Sequence, residues 1–575
     1  MKKNNTFRRA AALMAALSIT VSLAAPAFAD TYYIDYGDIT ITKNEDGSQT
    51  IQQGGDKWTD KAGEETVITT SNTVITTLES DLEGPAAEDS DFGPVVEDNY
   101  QSAQPEDAEK PEGADQPEST EEPKAADRQE SADQQAAPAA APAGSAPVNP
   151  KDDGFWGNTI TVINNIADKV LNLTLKDVKI DVRGDNFEFE DDQRGKAALS
   201  VQGKGNVEIE LDGDNELKSG TQSAGLEKNS TGTLTLKDDN KEAGSLTATG
   251  GFNSAGIGGG YLGDGKNITI TGGTVTATGG SSGAGIGGGR EGKGENITIT
   301  GGTVTATGNE DGAGIGGGSS GSGENITIND GKVTATGGNY AAGIGGGSVG
   351  AWGGDAGSGK NITINGGTVN ATGTDGGAGI GGGGAAASDI ELWGSNGGNG
   401  EDITINGGKV NASGAYGGAG IGGGVNGIGS KVTVSGAAQV TATATGSGPD
   451  WSGVGTGATI GNGGSKTPDG PVDGKEIQAD ISHLTTGYIH HIIYNPDLDS
   501  DGKPDGILKE WWEFALPKPI PDGESLDLHV ETLKGAPLPF NTRQQGRTLR
   551  VTTDNLSARL HGTRQALETL QEQGV

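Results

Sequence analysis

The chain has no cysteine, only two methionines and an aromatic content of 4 %, yet 105 of its 575 residues are glycine. Without cysteine there are no disulfide staples and no thiolate metal sites. So few large side chains rule out a thick globular core. Positive charge is short as well: 40 Lys and Arg against 78 Asp and Glu leave a formal net charge of −38. Phosphates would be repelled, so nucleic acid is not an expected partner. After the first thirty residues no second long apolar run follows, which leaves no candidate for a membrane-spanning helix.

The first thirty residues set the expected compartment. Lys2, Lys3, Arg8 and Arg9 precede the apolar stretch AALMAALSITVSLAA, and Ala27-Phe28-Ala29 fits a small-x-small cleavage pattern. The stretch is short and broken by serine and threonine, unlike a membrane anchor. Residues 1–29 therefore read as a signal peptide, giving a secreted, extracellular chain, with no membrane insertion after cleavage and cell-surface association left open.

Residues 30–78 are rich in β-formers and read as an N-terminal β segment, possible first coils or a cap. Residues 79–153 carry scattered prolines, many carboxylates and almost nothing apolar, the composition of a disordered acidic linker. Asn72-Thr73-Val74-Ile75-Thr76 before that linker resembles Asn158-Thr159-Ile160-Thr161-Val162 after it, as if the linker interrupts one structure.

From residue 154 to 470 alternation and repetition dominate. AGIGGG begins at 255, 284, 313, 342, 378 and 419, with a weaker SAGLEK at 223 and SGVGTG at 452. The spacing is 29 residues three times, then 36 and 41, and each period also holds an NITI-type and a TVTAT-type segment. A fixed period of this size signals a solenoid, and three short strands per period joined by glycine turns predict one coil of a parallel β-helix. Alternation sends Ile268, Ile270, Val275, Ala277, Ala255 and Ile257 inward and Thr269, Thr274, Thr276 and Thr278 outward. A phosphate-cradling loop is a poor reading of AGIGGG, because no helix-forming stretch follows any copy.

AGIGGG followed by NITINGGTVTATGG, preceded by AALSVQGKGNVEIELDGDNEL and SAGLEKNSTGTLTLKD, resembles the secreted β-solenoid proteins of clostridial and other gut Firmicutes described as carbohydrate-binding domain-containing. The resemblance covers residues 31–78 and 154–465. It implies an all-β fold, a right-handed parallel β-helix, with calcium sites and binding of plant or host polysaccharide without hydrolysis. The acidic linker departs from that pattern, and the last hundred residues lie outside it.

Three groups of residues could carry chemistry. Large side chains within the repeats are confined to turns: Tyr261, Tyr340, Trp352, Trp393 and Tyr416, the two tryptophans falling in the expanded loops. Arrayed along one solenoid edge, such rings suit the C–H faces of sugars; equally, each tryptophan can fold over its own loop. NPDLDSDGKPDG places Asp497, Asp499, Asp501 and Asp505 at positions 1, 3, 5 and 9 of a calcium loop, with Gly502 at 6. Leu508 stands where the bidentate glutamate belongs, and an acidic Asp/Gly turn is the competing reading. Catalysis finds no support: no carboxylate pair recurs at equivalent positions, and Lys266, Arg290, Glu295 and Lys360 read as residues of variable turns. All five histidines lie beyond the repeats without metal-ligand spacing, and the adjacent His490 and His491 are expected to straddle two faces of a strand.

Residues 471–575 read as a small C-terminal mixed domain. Core packing is the expectation for Trp511 and Trp512, and a helix for TRQALETLQEQ. The expected protein is a non-enzymatic solenoid that binds polysaccharide at loops along one edge, with Ca2+ as a structural ion. The alternative is a surface stalk or adhesin whose partner is a protein or a copy of itself.

Overall fold

A computed structural model describes residues 30–61, 65–70, 154–184, 194–240, 242–350, 353–385, 395–446, 454–496, 505–515, 528–545, 548–553 and 557–562, with 568 and 571. All of them belong to one compact unit formed by residues 1–71 and 137–575. The expected signal peptide, all of the 79–153 linker and nearly all of the C-terminal helix fall outside the described residues.

The repeats wind as an all-β parallel helix whose coils stack through three ladders. Strands of the NITI type form the first: Gly265–Ile270, Gly294–Ile299, Gly323–Ile328, Gly359–Ile364, Gly400–Ile405 and Gly429–Val434, each parallel to the next. The TVTAT type forms the second: Gly244–Thr249, Thr274–Thr278, Thr303–Thr307, Lys332–Thr336, Thr368–Thr372, Lys409–Gly414 and Gln439–Thr445. The third is built on the Ile-Gly pair of AGIGGG.

Alternation places one side chain in two on the axis, and the register stacks like on like. Ile257, Ile286, Ile315, Ile344, Ile380, Ile421 and Ile460 pair in a single column and are fully buried. Ile268, Ile297, Ile326, Ile362 and Ile403 make another, and Val275, Val304, Val333, Val369, Val410 and Val440 a third. The threonines expected outside are half-buried or exposed. A single coil holds too few apolar groups to order itself, so neighbours supply the rest.

The third ladder is the shortest of the three. Only two residues per coil, such as Ile257–Gly258, are strand. The flanking glycines are held between coils by turn-to-turn bonds, among them Gly259 N–H to Gly287 O at 2.8 Å and Ile257 N–H to Gly285 O at 3.0 Å. Every residue of the 255–260 segment is buried, glycines included. At Gly258 φ is +134°, and an added Cβ would lie 2.1 Å from the Gly287 carbonyl oxygen of the next coil. Glycine is required there by backbone conformation and by the approach of a second backbone.

Strands on both sides of the 79–153 segment pair with each other. Ile39–Lys43 lies parallel to Ile160–Asn164, and Thr66–Thr69 lies parallel to Val170–Lys176. Gln49–Gln53 then pairs antiparallel with Ile39–Lys43, and Asp56–Asp60 antiparallel with Gln49–Gln53, closing the third ladder at its N-terminal end over Ile39, Ile41 and Ile51. At the other end the boundary drawn at 470 falls inside the sheet. Tyr488–Tyr494 pairs parallel with Gln439–Thr445, so it is one more rung of the second ladder rather than part of a separate domain. Its alternation, YIHHIIY, continues the inward column with Ile489. Ile507–Phe514 then pairs antiparallel with it, and two smaller antiparallel sheets follow within residues 528–562.

Candidate functional site

The loop edge is built from two turns. One precedes each AGIGGG and one follows it. The residue after AGIGGG donates its N–H to the turn of the preceding coil: Tyr261 to Gln222 O at 3.1 Å, Arg290 to Asn253 O at 3.0 Å, Ser319 to Ser282 O at 2.9 Å and Ser348 to Asp311 O at 2.9 Å. The two turns therefore close over the Ile-Gly ladder, which explains why it is covered from outside as well as from the axis.

Tyr261 belongs to the turn after AGIGGG, while Tyr340 and Tyr416 belong to the turn before it. All three share the edge. Tyr261 is 37 % exposed; Tyr340 and Tyr416 are half-buried. Tyr340 has φ +59° and Tyr416 φ +43°, a region that non-glycine residues seldom occupy. The Tyr340 ring lies over Gly376, where an added Cβ would come within 3.4 Å of its Cδ1 and 2.8 Å of Val425 Cγ2. Gly384 N–H is bonded to the Tyr340 carbonyl at 2.5 Å.

The lengthened coils between Ile344 and Ile380 and between Ile380 and Ile421 carry more than glycine spacer. Val349, Ala356 and Ala385 make a small buried cluster outside the cylinder. The first expanded loop is bonded to the second: Ala356 N–H to Asn396 O at 2.9 Å, and Asn396 Nδ2 to Asp355 Oδ1 at 2.9 Å. Trp352 and Trp393 lie outside the described residues, as do Asp389 and Glu391.

Of the calcium-loop candidates, Asp497, Asp499 and Asp501 lie outside the described residues. Asp505 is exposed, and its carbonyl accepts from Asn495 Nδ2 at 3.3 Å. Among the described residues no group of three His, Asp or Glu side chains is placed to hold a metal.

Lys266, Glu295 and Lys360 do not sit in turns, as the sequence suggested, but on first-ladder strands. Lys266, Glu295, Glu324, Lys360 and Glu401 form one column, with Lys266 Nζ 3.1 Å from Glu295 and Lys293 Nζ 2.9 Å from Glu324. The residue that misleads is the asparagine of NITI. Asn267, Asn296, Asn325 and Asn361 all have φ near +55°, which breaks the alternation one residue before the isoleucine. Their amides bond coil to coil, Asn296 to Asn267 at 3.0 Å, Asn325 to Asn296 at 3.2 Å and Asn361 to Asn325 at 3.1 Å.

The C-terminal rungs hold the aromatic groups that the repeats exclude. His490 and His491 do straddle the strand. His491 occupies the inward position paired with Ala442, is 2 % exposed and stacks on Trp511 with ring centroids 4.5 Å apart. Its Nδ1 is 2.6 Å from Thr459 Oγ1, which also contacts the Glu476 carboxylate at 3.0 Å. Its Nε2 has no hydrogen bond and stands 3.6 Å from Glu513. Burial pushes His491 down to about 4, helped by His490 and Lys509, and burial pushes the Glu513 carboxyl up. The tryptophan pair, expected in a core, is divided by the strand. Trp511 is half-buried while Trp512 is 45 % exposed and Phe514 42 % exposed. Strand alternation within WWEF is the signal that would have separated them.

Segments 242–261, 268–290, 297–319, 326–348, 362–384 and 403–425 match a family model described as Beta helix repeat. Those segments contain each AGIGGG copy with the turns around it. No curated protein and no solved structure matches the chain.

Proposed function

We propose that the protein is an exported, non-catalytic β-solenoid that binds polysaccharide along its loop edge, with calcium as a structural ion in the 497–505 loop. The observation that carries this reading is the outgrowth on the lengthened coils between Ile344 and Ile421. The cylinder is complete in 29 residues, as three successive coils demonstrate. The described extra residues, Val349, Asp355, Ala356, Ala385 and Asn396, lie off the axial columns, yet they build their own buried cluster and cross-coil bonds. Chain ordered at an entropic cost outside the core is where binding is expected. Tyr340 and Tyr416 stand on that edge, and the sequence reading expects Trp352 and Trp393 there too; sugar C–H faces suit such rings.

The test is retention on insoluble glycans of the mature chain against a Trp352→Ala/Trp393→Ala variant. Retention by the parent and its loss in the variant, with unchanged circular dichroism, supports the edge; equal retention refutes it. For calcium, titration should give a heat signal that Asp499→Ala/Asp501→Ala removes, and a titration without heat refutes that part alone.

A further inference from the structure

Among the described residues, the outward strand positions of the second ladder carry no carboxylate. Seven successive strands, from Gly244–Thr249 to Gln439–Thr445, each present three outward residues in register. Of these twenty-one positions fourteen are threonine, two serine, two asparagine, one glutamine and two lysine (Lys332 and Lys409). None is acidic, in a chain where 78 of 575 residues are. Strand propensity alone does not produce this, because the first ladder has the same outward threonines and still places Glu295, Glu324 and Glu401 on its surface. The bare face begins after Asp214, Glu216 and Lys218, which pair with Ser245, Thr247 and Thr249. It ends at Tyr488 and His490, which continue the Gln439 and Thr441 columns, with Phe514 and Trp512 opposite them. There the rings form a ridge: His490 stacks on Trp512 at 3.7 Å, Tyr488 meets Trp512 edge-on at 5.0 Å, and Phe514 lies parallel to Trp512 at 5.9 Å.

We propose that this carboxylate-free face and its terminal aromatic ridge form a second polysaccharide-binding surface, taking an extended neutral chain along the solenoid axis. The proposal extends the polysaccharide reading from the loop edge to a site of its own. Hydroxyl and amide side chains both donate and accept, which matches a polyol, whereas carboxylates only accept and hold tightly bound water. The columns repeat once per coil, about 4.8 Å, and outward neighbours on one strand are about 6.7 Å apart. A regular array on a hydrogen-bonded backbone is organised before the ligand arrives, so little order is lost on binding. That periodicity suits a repeating polymer. The ridge supplies the apolar contact that fixes one end of the chain.

The experiment compares four full-length variants for retention on insoluble cellulose and xylan. Thr305→Glu/Thr334→Glu places two carboxylates on the bare face. Thr298→Glu/Thr327→Glu places the same pair on the first ladder, with the same strand context and the same repulsion. Trp512→Ala/Phe514→Ala removes the ridge, and Trp352→Ala/Trp393→Ala removes the edge rings. The expected result is at least tenfold weaker retention for the first pair and for the ridge variant, and less than twofold change for the first-ladder pair. Equal losses in both glutamate pairs, or none in either, overturn the proposal. Full retention by both face variants with loss only in the Trp352/Trp393 variant overturns it and leaves the edge reading standing; no retention by the parent chain overturns both. A parent that elutes as a dimer, and as a monomer only in the ridge variant, assigns the ridge to a second copy and overturns the proposal as well.

Discussion

Gly316→Ala is the sharpest test of why the third ladder tolerates no side chain. Gly316 has φ +139°, and an added Cβ would lie 1.9 Å from the Gly345 carbonyl oxygen and 2.9 Å from its carbon. Both obstacles are backbone, so no rotamer change relieves them. A non-glycine residue in that backbone region costs about 1–3 kcal/mol, and forcing apart a packed contact costs about 1–3 kcal/mol more. The total, about 2–6 kcal/mol, falls on the junction between two coils rather than on one side chain. Because each coil contacts only its neighbours, the damage should be local. Urea unfolding of the mature chain should begin earlier, and amide exchange should accelerate in the coils on both sides of Gly316–Gly345 and not at the ends. Gly157→Ala is the control, since a Cβ there has nothing within 4 Å; it should shift stability by less than about 0.5 kcal/mol. If Gly316→Ala keeps the parent midpoint and the parent exchange pattern, close approach of coils is not what selects glycine.

The two ends of the solenoid should respond to pH in opposite directions. His491 is held at about 4, below its ordinary 6.5, so the stability it contributes is complete above pH 6.5 and is lost as pH falls toward 4. Asp60, buried with Tyr32 and Thr66 on its two oxygens at 2.6 Å each, is pushed up to about 6 from 3.8, so its contribution is complete below pH 3.8 and is lost as pH rises through 6. Glu513, pushed up by burial beside His491, works in the opposite sense. Amide exchange at pH 7 and pH 4.5 is therefore compared in a Glu513→Gln variant, where the 488–514 strands should loosen and the 39–60 strands tighten on acidification; parallel changes at both ends would refute this. Ile315→Ala, in the middle of the isoleucine column and fully buried, should cost about 2–5 kcal/mol in urea unfolding; a cost below 1 kcal/mol would mean the column is not close-packed. Asn325 donates to Asn296, accepts from Asn361 and has φ +56°. Asn325→Ala should therefore destabilise by about 1–2 kcal/mol, and Asn325→Gly by less, since glycine tolerates the backbone. Equal losses in the two variants would show that the amide bonds, not the dihedral, dominate.

The candidate site was legible in part. Tyr261, Tyr340 and Tyr416 do share an edge, but their common placement comes from two turns that touch across neighbouring coils, as in the Tyr261 N–H to Gln222 O bond. Residues 39 apart in sequence gave no sign of that. The split of Trp511 from Trp512 was available from strand alternation alone.

What the sequence determined by itself was everything that depends on alternation and period. NITI, TVTAT and the isoleucine of AGIGGG state locally which side chains face the axis, and the 29-residue repeat states which of them stack. Contacts between non-adjacent backbones were decided only by the tertiary structure. Positive φ at Asn267 carries Lys266 and Glu295 into one row, the turns close over the Ile-Gly ladder, and Tyr488–Tyr494 joins the sheet beyond residue 470. Those outcomes depend on hydrogen bonds between coils, and a one-dimensional pattern fixes the spacing of such bonds but not their partners.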